Sequence, residues 1–495
     1  MLLLVPMILP PFVGALAMRH LFSQFGAVNL MLERIGLLDF STALPPDWLG
    51  SGFVGVVVLQ ALHLFPILYL NASAALANVD PAYQQAARNL GASPWRTFTR
   101  VTLPLIRPGL FAGGTIVFIW SFTDIGTPLI VGYDQLLPVT LFRGLAQSDV
   151  SPSILSLVFV LLGSSMIFYM LGKFIFGRVG PAGESKASIA AESRPLRPLA
   201  TLGAWLVFGV VIAMALLPHV GVVLTAFSAR WVNTILPGEY TWRHMSFVLT
   251  RPETFGAIKN SLNYASASTL LDLVLGGLAA WLIVRARVRG RTILDTLVML
   301  PLAVPGIIIA AGYIAMTAAG LGLAQCLPDS GWLAPLRAGL DRLDVWLMSI
   351  APGGGFATLL IIAYTVRRLP FAVRGISAGL QQVPPSLVEA ARNLGARPWT
   401  ASRRITLPLI LANIIAAAVL TFAFAVLEVS DSLILAQQPA AFPITKEMYV
   451  QATSGNTDAA NIASALGVYG MALLGGTMAL ASALMGKKLG AIFRA

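Results

Sequence analysis

Ten apolar stretches, each long enough to cross a bilayer core of about 30 Å, alternate along the chain with short polar segments: 1–22, 52–76, 107–133, 152–177, 200–227, 262–286, 294–320, 355–376, 410–436 and 463–486. At this length they predict helices, and the fold class is all-α: a polytopic membrane protein with about ten transmembrane helices. The longer polar segments, 23–51, 228–261, 321–354 and 437–462, do not resemble domains of their own. Trp48, Trp332 and Trp346 within them suit helices lying in the membrane interface. Residues 180–198 are rich in Gly, Ala, Ser and Pro and carry charges of both signs. They read as a flexible cytoplasmic connector between a first half at 1–179 and a second at 199–495.

One polar stretch occurs twice. Gln85-Ala86-Ala87-Arg88-Asn89-Leu90-Gly91 leads on to Val101-Thr102-Leu103-Pro104; 304 positions later, without a gap, Glu389-Ala390-Ala391-Arg392-Asn393-Leu394-Gly395 leads on to Ile405-Thr406-Leu407-Pro408. Between Ala86–Ile106 and Ala390–Ile410, 15 of 21 positions are identical, which marks a duplication. Each copy predicts a short helix, a turn and a second short helix entering an apolar span. Asp80-Pro81 and Pro384-Pro385 start the first helices. Leu387, Ala390, Ala391 and Leu394 share one narrow face. Gly91 and Gly395 supply the left-handed residue that ends each helix, and Pro94-Trp95 and Pro398-Trp399 begin the second helices. Six crossings separate the copies, so the two homologous bundles are parallel. The second half has six spans and the first only four. Residues 4–10 align with 299–305, which leaves the first half without counterparts of 200–227 and 262–286. The expectation is a chain shortened at its amino end, or a start codon assigned too late. A signal peptide ending near Ala15-Leu16-Ala17 competes with that reading, but no basic residue precedes the apolar run, and Pro6, Pro10 and Pro11 interrupt it.

The pattern Glu-Ala-Ala, three residues, Gly, nine residues, Ile, one residue, Leu-Pro resembles the cytoplasmic signature loop of membrane subunits in bacterial binding-protein-dependent ABC importers, the MetI-like permeases of type I importers. Residues 389–408 match it throughout, and the first copy departs at Gln85 and Val101. Two halves fused in one chain resemble the ferric-iron permeases and, less commonly, the thiamine permeases. The resemblance implies a multi-pass inner-membrane permease. Two ABC ATPase subunits would dock on coupling loops 80–108 and 384–412 through Gln85, Ala86, Ala87, Gly91, Glu389, Ala390, Ala391 and Gly395. A periplasmic solute-binding protein would dock on the outer segments.

Composition narrows the classes further. With 57% hydrophobic and 11% charged residues and a mean hydropathy of +0.79, the chain is far too apolar for a soluble globular protein. Its net charge of +12 follows from topology and not from a nucleic-acid patch. Of its 33 Lys and Arg, 23 fall in segments that the signature loops assign to the cytoplasm, among them Arg367 and Arg368, with Met1 and the C-terminus on the same side. The lone Cys326 excludes an intramolecular disulfide, and four histidines without paired spacing give no metal signature. The chain has no GxxxxGK[ST] loop, so no catalytic residue or cofactor is assigned and ATP hydrolysis falls to a partner.

Ionisable residues inside spans are the candidates for the pathway. Asp124 and Glu428 correspond under the shift of 304, with Asp431 nearby and Asp272 alone in its span. Two acids near the external mouth would attract a cation such as ferric iron or thiamine, with polyamines and phosphonates behind them as cargo. In the plainer reading each carboxylate bonds a neighbouring helix. Pro6 with Pro10 and Pro301 with Pro305 predict bent helices suited to a gate, and Gly276-Gly277 and Gly475-Gly476 predict close helix packing. An ion-coupled secondary carrier, with Asp124, Glu428 and Asp272 as proton or sodium sites, is the competing class; many such folds use inverted repeats, whereas these are parallel. An inactive remnant, prompted by the missing spans and Gln85, is a third reading.

Overall fold

The structure, a computed structural model, describes residues 2–41, 43–49, 52–77, 79–145, 152–176, 198–286, 288–319, 334–350 and 356–485. Apart from Pro198, the expected connector lies outside these residues, as do Cys326 and Trp332.

The first half begins with a 3-10 segment, Leu2–Ile8, and continues through α1 (Pro11–Phe22), α2 (Ala27–Arg34), α3 (Phe53–Ala77), α4 (Pro81–Asn89) and α5 (Pro94–Thr97). A five-residue π-helical segment, Phe98–Thr102, leads into α6 (Leu103–Thr123), followed by α7 (Gly126–Val131), α8 (Leu137–Leu145) and α9 (Pro152–Phe176). The second half opens with α10 (Pro198–Phe227), a small two-stranded hairpin of β1 (Ser228–Arg230) and β2 (Glu239–Tyr240), α11 (Arg243–Thr250) and α12 (Pro252–Val284). Then come α13 (Arg291–Ala303), α14 (Gly306–Ala319), α15 (Ala334–Ile350), α16 (Phe356–Gln382), α17 (Pro385–Asn393) and α18 (Pro398–Ala401). A second π-helical segment, Ser402–Thr406, precedes α19 (Leu407–Val426), α20 (Ser430–Leu435), α21 (Ile444–Thr453) and α22 (Ala459–Met485). The shift of 304 carries α4 onto α17, α5 onto α18, each π segment onto its twin and α7 onto α20, residue for residue. The duplication is therefore structural as well as textual.

Seven of the described helices are long and apolar enough to cross a membrane, and a bent pair would make eight. Ten were expected; of the three others, 152–177 counts only as a shorter apolar helix, Pro152–Phe168, and proline breaks the remaining two. Within residues 2–22 lie the 3-10 segment and α1, which at about 1.5 Å per residue is only ~18 Å long. Residues 294–320 bend by 100° between Leu302 and Gly306. Pro10, Pro11 and Pro305 cannot donate a backbone hydrogen bond, so the chain turns at these positions. Both breaks fall at the same place in the two halves, since α1 starts at Pro11 and α14 at Gly306, as the alignment of 4–10 with 299–305 requires. The expected spans 107–133 and 410–436 are also broken, after Thr123 and Val426, and continue as the short helices α7 and α20.

The halves share their core. One apolar cluster joins Phe12, Val13 and Met18 of α1 to Val222 of α10, Met448 of α21 and Leu466 of α22. A second joins Ile125 and Leu141 to Tyr364 and Leu435. Pro218 lies level with Gly14 and Gly221 level with Ala17, so α1 and α10 run parallel and end together, where Trp231 stacks on His20 at 5.6 Å. From that end α3 starts beside Trp48, whose N–H donates to the Phe22 carbonyl at 3.1 Å, and α12 starts beyond α11, which is pinned to the head of α22 by Arg243–Asp458. Gly276 faces Ala372, and Arg285 donates to the Leu380 and Val383 carbonyls at 2.8 and 2.6 Å, so α16 runs parallel to α12. Consequently α4 and α17 emerge at the same end of the bundle.

Of the glycine pairs expected to pack closely, Gly276 does: a Cβ there would lie 2.9 Å from the Ala372 Cβ. Gly475 and Gly476 face open space among the described residues. Gly276→Leu is therefore expected to destabilise the chain by about 1–3 kcal/mol through overpacking, whereas Gly475→Leu stays within about 0.5 kcal/mol. Thermal unfolding of the two variants in one detergent checks the contrast.

Candidate functional site

The repeated turns are built alike. Asp80 caps α4 by accepting from the Ala82 N–H at 2.8 Å, and Ser93 caps α5 by accepting from the Arg96 N–H at 3.3 Å. At the end of α4, Ala92 N–H donates to Ala87 at 3.0 Å and Gly91 N–H to Arg88 at 2.9 Å, a closure that needs the positive φ of +80° at Gly91. Ala396, Ala391, Gly395 and Arg392 repeat it at 3.0 and 2.9 Å, with Gly395 at φ +86°. Neither α4 nor α17 buries a single residue. Leu90 and Leu394, at the tips, are 88% and 90% exposed, and Trp95 and Trp399 are exposed beside them. In the second copy Pro384 and Arg397 stand at these helix starts without a side-chain cap, but the glycine closures match, and apolar side chains this exposed form a projecting surface. Gln85, Ala86, Ala87, Glu389, Ala390 and Ala391 lie on these two helices, and Gly91 and Gly395 turn the chain back at their ends.

Toward the other end of the bundle the halves line an open cavity of about 110 Å³. Much of its lining falls in pairs related by the shift of 304: His63 with Arg367, Leu64 with Arg368, Trp120 with Phe424, Thr123 with Leu427, and Asp124 with Glu428. The Trp120 and Phe424 rings meet edge to face, 5.4 Å between centroids, so a pseudo-twofold axis passes between them. Gln60 lies roughly 25 Å along α3 from its Ala77 end, at about 1.5 Å per residue. The cavity thus sits far from the projecting turns.

Asp124 and Glu428 lie at the breaks between long and short helices, not inside spans. Each partly caps the short helix beyond it: Asp124 Oδ2 accepts from Thr127 N–H at 3.1 Å, and Glu428 Oε1 from Asp431 N–H at 3.5 Å. Their surroundings otherwise differ. Gln60 Nε2 donates to Asp124 Oδ2 and lies 3.3 Å from Thr127 Oγ1, a neutral arrangement. Glu428 is ion-paired with both Arg368 and Arg367, the latter Nε at 3.3 Å, and Arg367 Nη1 stands 3.7 Å from Asp431 Oδ1. Arg368 also donates to the Phe424 carbonyl at 3.0 Å, and its guanidinium lies 5.6 Å from the centre of that ring. Asp431 is fully buried behind Glu428, outside the lining, and Asp272 is fully buried where α12 meets α16. Two freely exposed acids therefore do not face one another here, because the second-half acid is already neutralised.

A family profile matches residues 1–181 and 272–489, that of the binding-protein-dependent transport system inner membrane component. The chain belongs to this family. Among relatives of this inner membrane component, one named as a ferric transport system permease protein of Haemophilus influenzae is 27% identical over 448 residues, 87% of this chain and 63% of that protein. The ferric transport system permease protein of Actinobacillus pleuropneumoniae is 26% identical over 444 residues, 86% of this chain and 57% of its own length. The chain thus spans about three fifths of these relatives. A crystal structure of a bacterial alginate ABC transporter aligns over 59% of this chain and 97% of its own, with 19% identity and a TM-score of 0.44.

Sequence reasoning missed four polar cavity residues of this family member: Gln60, His63, Arg367 and Arg368. Nothing in the shift flags them, since Gln60 maps to Tyr364, and His63 and Leu64 map to the two arginines. Arg367 and Arg368 were moreover counted among cytoplasmic basic residues; the structure buries them in α16 at the cavity, because their partners Glu428 and Asp431 lie there. A buried charge stripped of its partner is costly, so Arg368→Met is expected to lose about 3–5 kcal/mol. Arg368→Met combined with Glu428→Met should lose less than the two single losses summed, as a double-mutant cycle of denaturant unfolding in detergent would measure.

Proposed function

We propose that this chain is the membrane-spanning subunit of an ATP-driven importer, in which α4 and α17 seat in two ATPase subunits and the cavity between the halves is part of the solute pathway. The observation that carries the reading is the pair of helix-turn units at one end of the bundle that bury no residue, each joined through a short helix and a π segment to a long apolar helix. A motor that moved α17 would move α19 with it, since the backbone between Pro398 and Val426 is continuously helical. The π segments, with i to i+5 bonding, are where such a lever would yield. A binding protein would deliver the solute at the opposite end, near α2, α11 and the hairpin. Relatives named as ferric transport permeases support ferric iron as the cargo. Gln85 in place of Glu weakens the first signature by one charge and leaves its geometry intact, so both turns are proposed to engage.

The test is ATP-dependent uptake of ferric iron in proteoliposomes holding the chain, its ATPase and its binding protein. Glu389→Lys, Gly395→Asp and Leu394→Glu each place a wrong charge or a strained residue on the projecting surface. At about 2 kcal/mol or more for a central contact, uptake should fall roughly thirtyfold with the amount of inserted chain unchanged. Uptake equal to that of the unaltered chain would overturn the coupling role. Leu90→Glu should fall comparably if both turns engage.

A further inference from the structure

We propose that His63 and Asp124, on the first-half wall of the cavity, form a two-donor site for a transition-metal cation in transit. This deepens the importer reading and rests on it, because it names the ligands that the cargo meets inside the bundle.

The first donor is set by a broken helix. Proline at position 10 has no N–H, so the Pro6 carbonyl lacks the donor that a continuous helix would supply four residues on. His63 Nδ1 lies 3.0 Å from that carbonyl oxygen. A carbonyl only accepts, so the proton of the neutral imidazole is on Nδ1 and Nε2 keeps its lone pair. No hydrogen bond to Nε2 exists among the described residues, and His63 lines the cavity. An imidazole that donates one ring N–H to a backbone carbonyl and presents its other nitrogen is held as metal-ligating histidines are held.

The second donor is oriented from behind. Gln60 and the Thr127 N–H both bond Asp124 Oδ2, the Gly126 and Ile125 N–H groups also lie against the carboxylate, and Asp124 lines the same cavity as His63. Gln60, itself buried and within reach of Thr127 Oγ1, acts as a positioning residue. The opposite wall offers no equivalent. The position of His63 is there occupied by Arg367, and Glu428 is engaged by two guanidiniums and a backbone N–H. Duplication followed by divergence has left one wall able to ligate and the other closed upon itself.

One imidazole nitrogen and one carboxylate oxygen suit first-row transition ions. Two protein donors leave the remaining positions to water, which makes binding weak enough for release, as passage requires. Among the described residues no group of three or more His, Cys, Asp or Glu could hold a metal, so nothing there would trap the ion. His219 of α10 flanks His63 on its other side, across a small pocket lined by Pro6, Leu9 and Pro218, and serves as a control.

The purified chain in lipid nanodiscs is titrated with Co²⁺ while the imidazole ¹⁵N signals of its four histidines are followed. The expected result is broadening first of the signal that His63→Gln removes. His63→Gln, which retains a donor for the Pro6 carbonyl, and Asp124→Asn should each raise the Kd for Co²⁺ about tenfold or more, and Gln60→Leu by a smaller factor, with His219→Gln within about twofold. Thermal unfolding within a few degrees of the unaltered chain, which is about 1 kcal/mol or less, certifies each variant as folded. Absence of Co²⁺ binding, or binding indifferent to both His63→Gln and Asp124→Asn, overturns the site. Co²⁺ bound at His63 with no ATP-dependent uptake overturns the importer reading and leaves the site standing.

Discussion

In a bilayer every backbone N–H and carbonyl must find its partner inside the protein, and non-helical backbone survives at membrane depth only where protein or a wetted cavity covers it. This chain breaks its helices at Pro10, Pro305, Asp124 and Glu428, and the residues at or next to three of these breaks line the same cavity. The breaks are what create it. At those three, a side chain closes the circuit: His63 meets the Pro6 carbonyl, Asp124 meets the Thr127 N–H, and Glu428 meets the Asp431 N–H. In the proposed function, the same liberated groups would give a passing solute something polar to exchange for its water.

The two halves solve this problem with different chemistry. The second half neutralises its acids with guanidiniums and ties the backbone by Ser432 and Thr445 hydroxyls donating to the Glu428 carbonyl at 2.6 and 2.7 Å. Tyr364, at the position of Gln60, bonds Ser432 at 2.6 Å and leaves the carboxylate to the arginines. A buried network of this kind adds less to stability than its number of contacts implies, because desolvating four charges offsets much of their attraction, but losing one member exposes the rest. It holds the second wall in one arrangement. The first wall, held by neutral hydrogen bonds, is less constrained by charge.

The turns were legible in the sequence because they are local: Asp80, Pro81, Gly91 and their twins each fix a torsion or a cap irrespective of the surroundings. Two copies in register removed the ambiguity that either alone would carry. The spans were legible in composition and not in continuity. Counting apolar residues through Pro10, Pro305, Asp124 or Glu428 cannot reveal that the chain changes direction there, since what stabilises the turned form is a partner distant in sequence. The two π segments left no signal of composition at all. Arg367-Arg368 misled for a related reason. A basic pair near the end of an apolar run reads as the membrane boundary, and only the position of Glu428 across the helix interface, 60 residues on, shows that the pair is interior. The acids themselves were found by the repeat shift, whereas their partners were invisible to it, because the shift detects what the halves have kept and the partners are where they differ.

Sameness and difference are distributed along the bundle in a way that fits a division of labour. The projecting turns, the short helices after them and the π segments superpose residue for residue, as two identical motor subunits would demand of their receiving surfaces. Away from that end the correspondence relaxes: α8 and α21 start three residues out of step with the shift of 304, and the cavity walls exchange His and Leu for two Arg. A solute lying on the axis has no twofold symmetry of its own, so a site for it gains from walls that differ, while a pair of levers driven together gains from ends that match. Divergence away from the projecting turns is therefore what selection on passage would leave in a duplicated chain if, as proposed, its matching ends receive the motor.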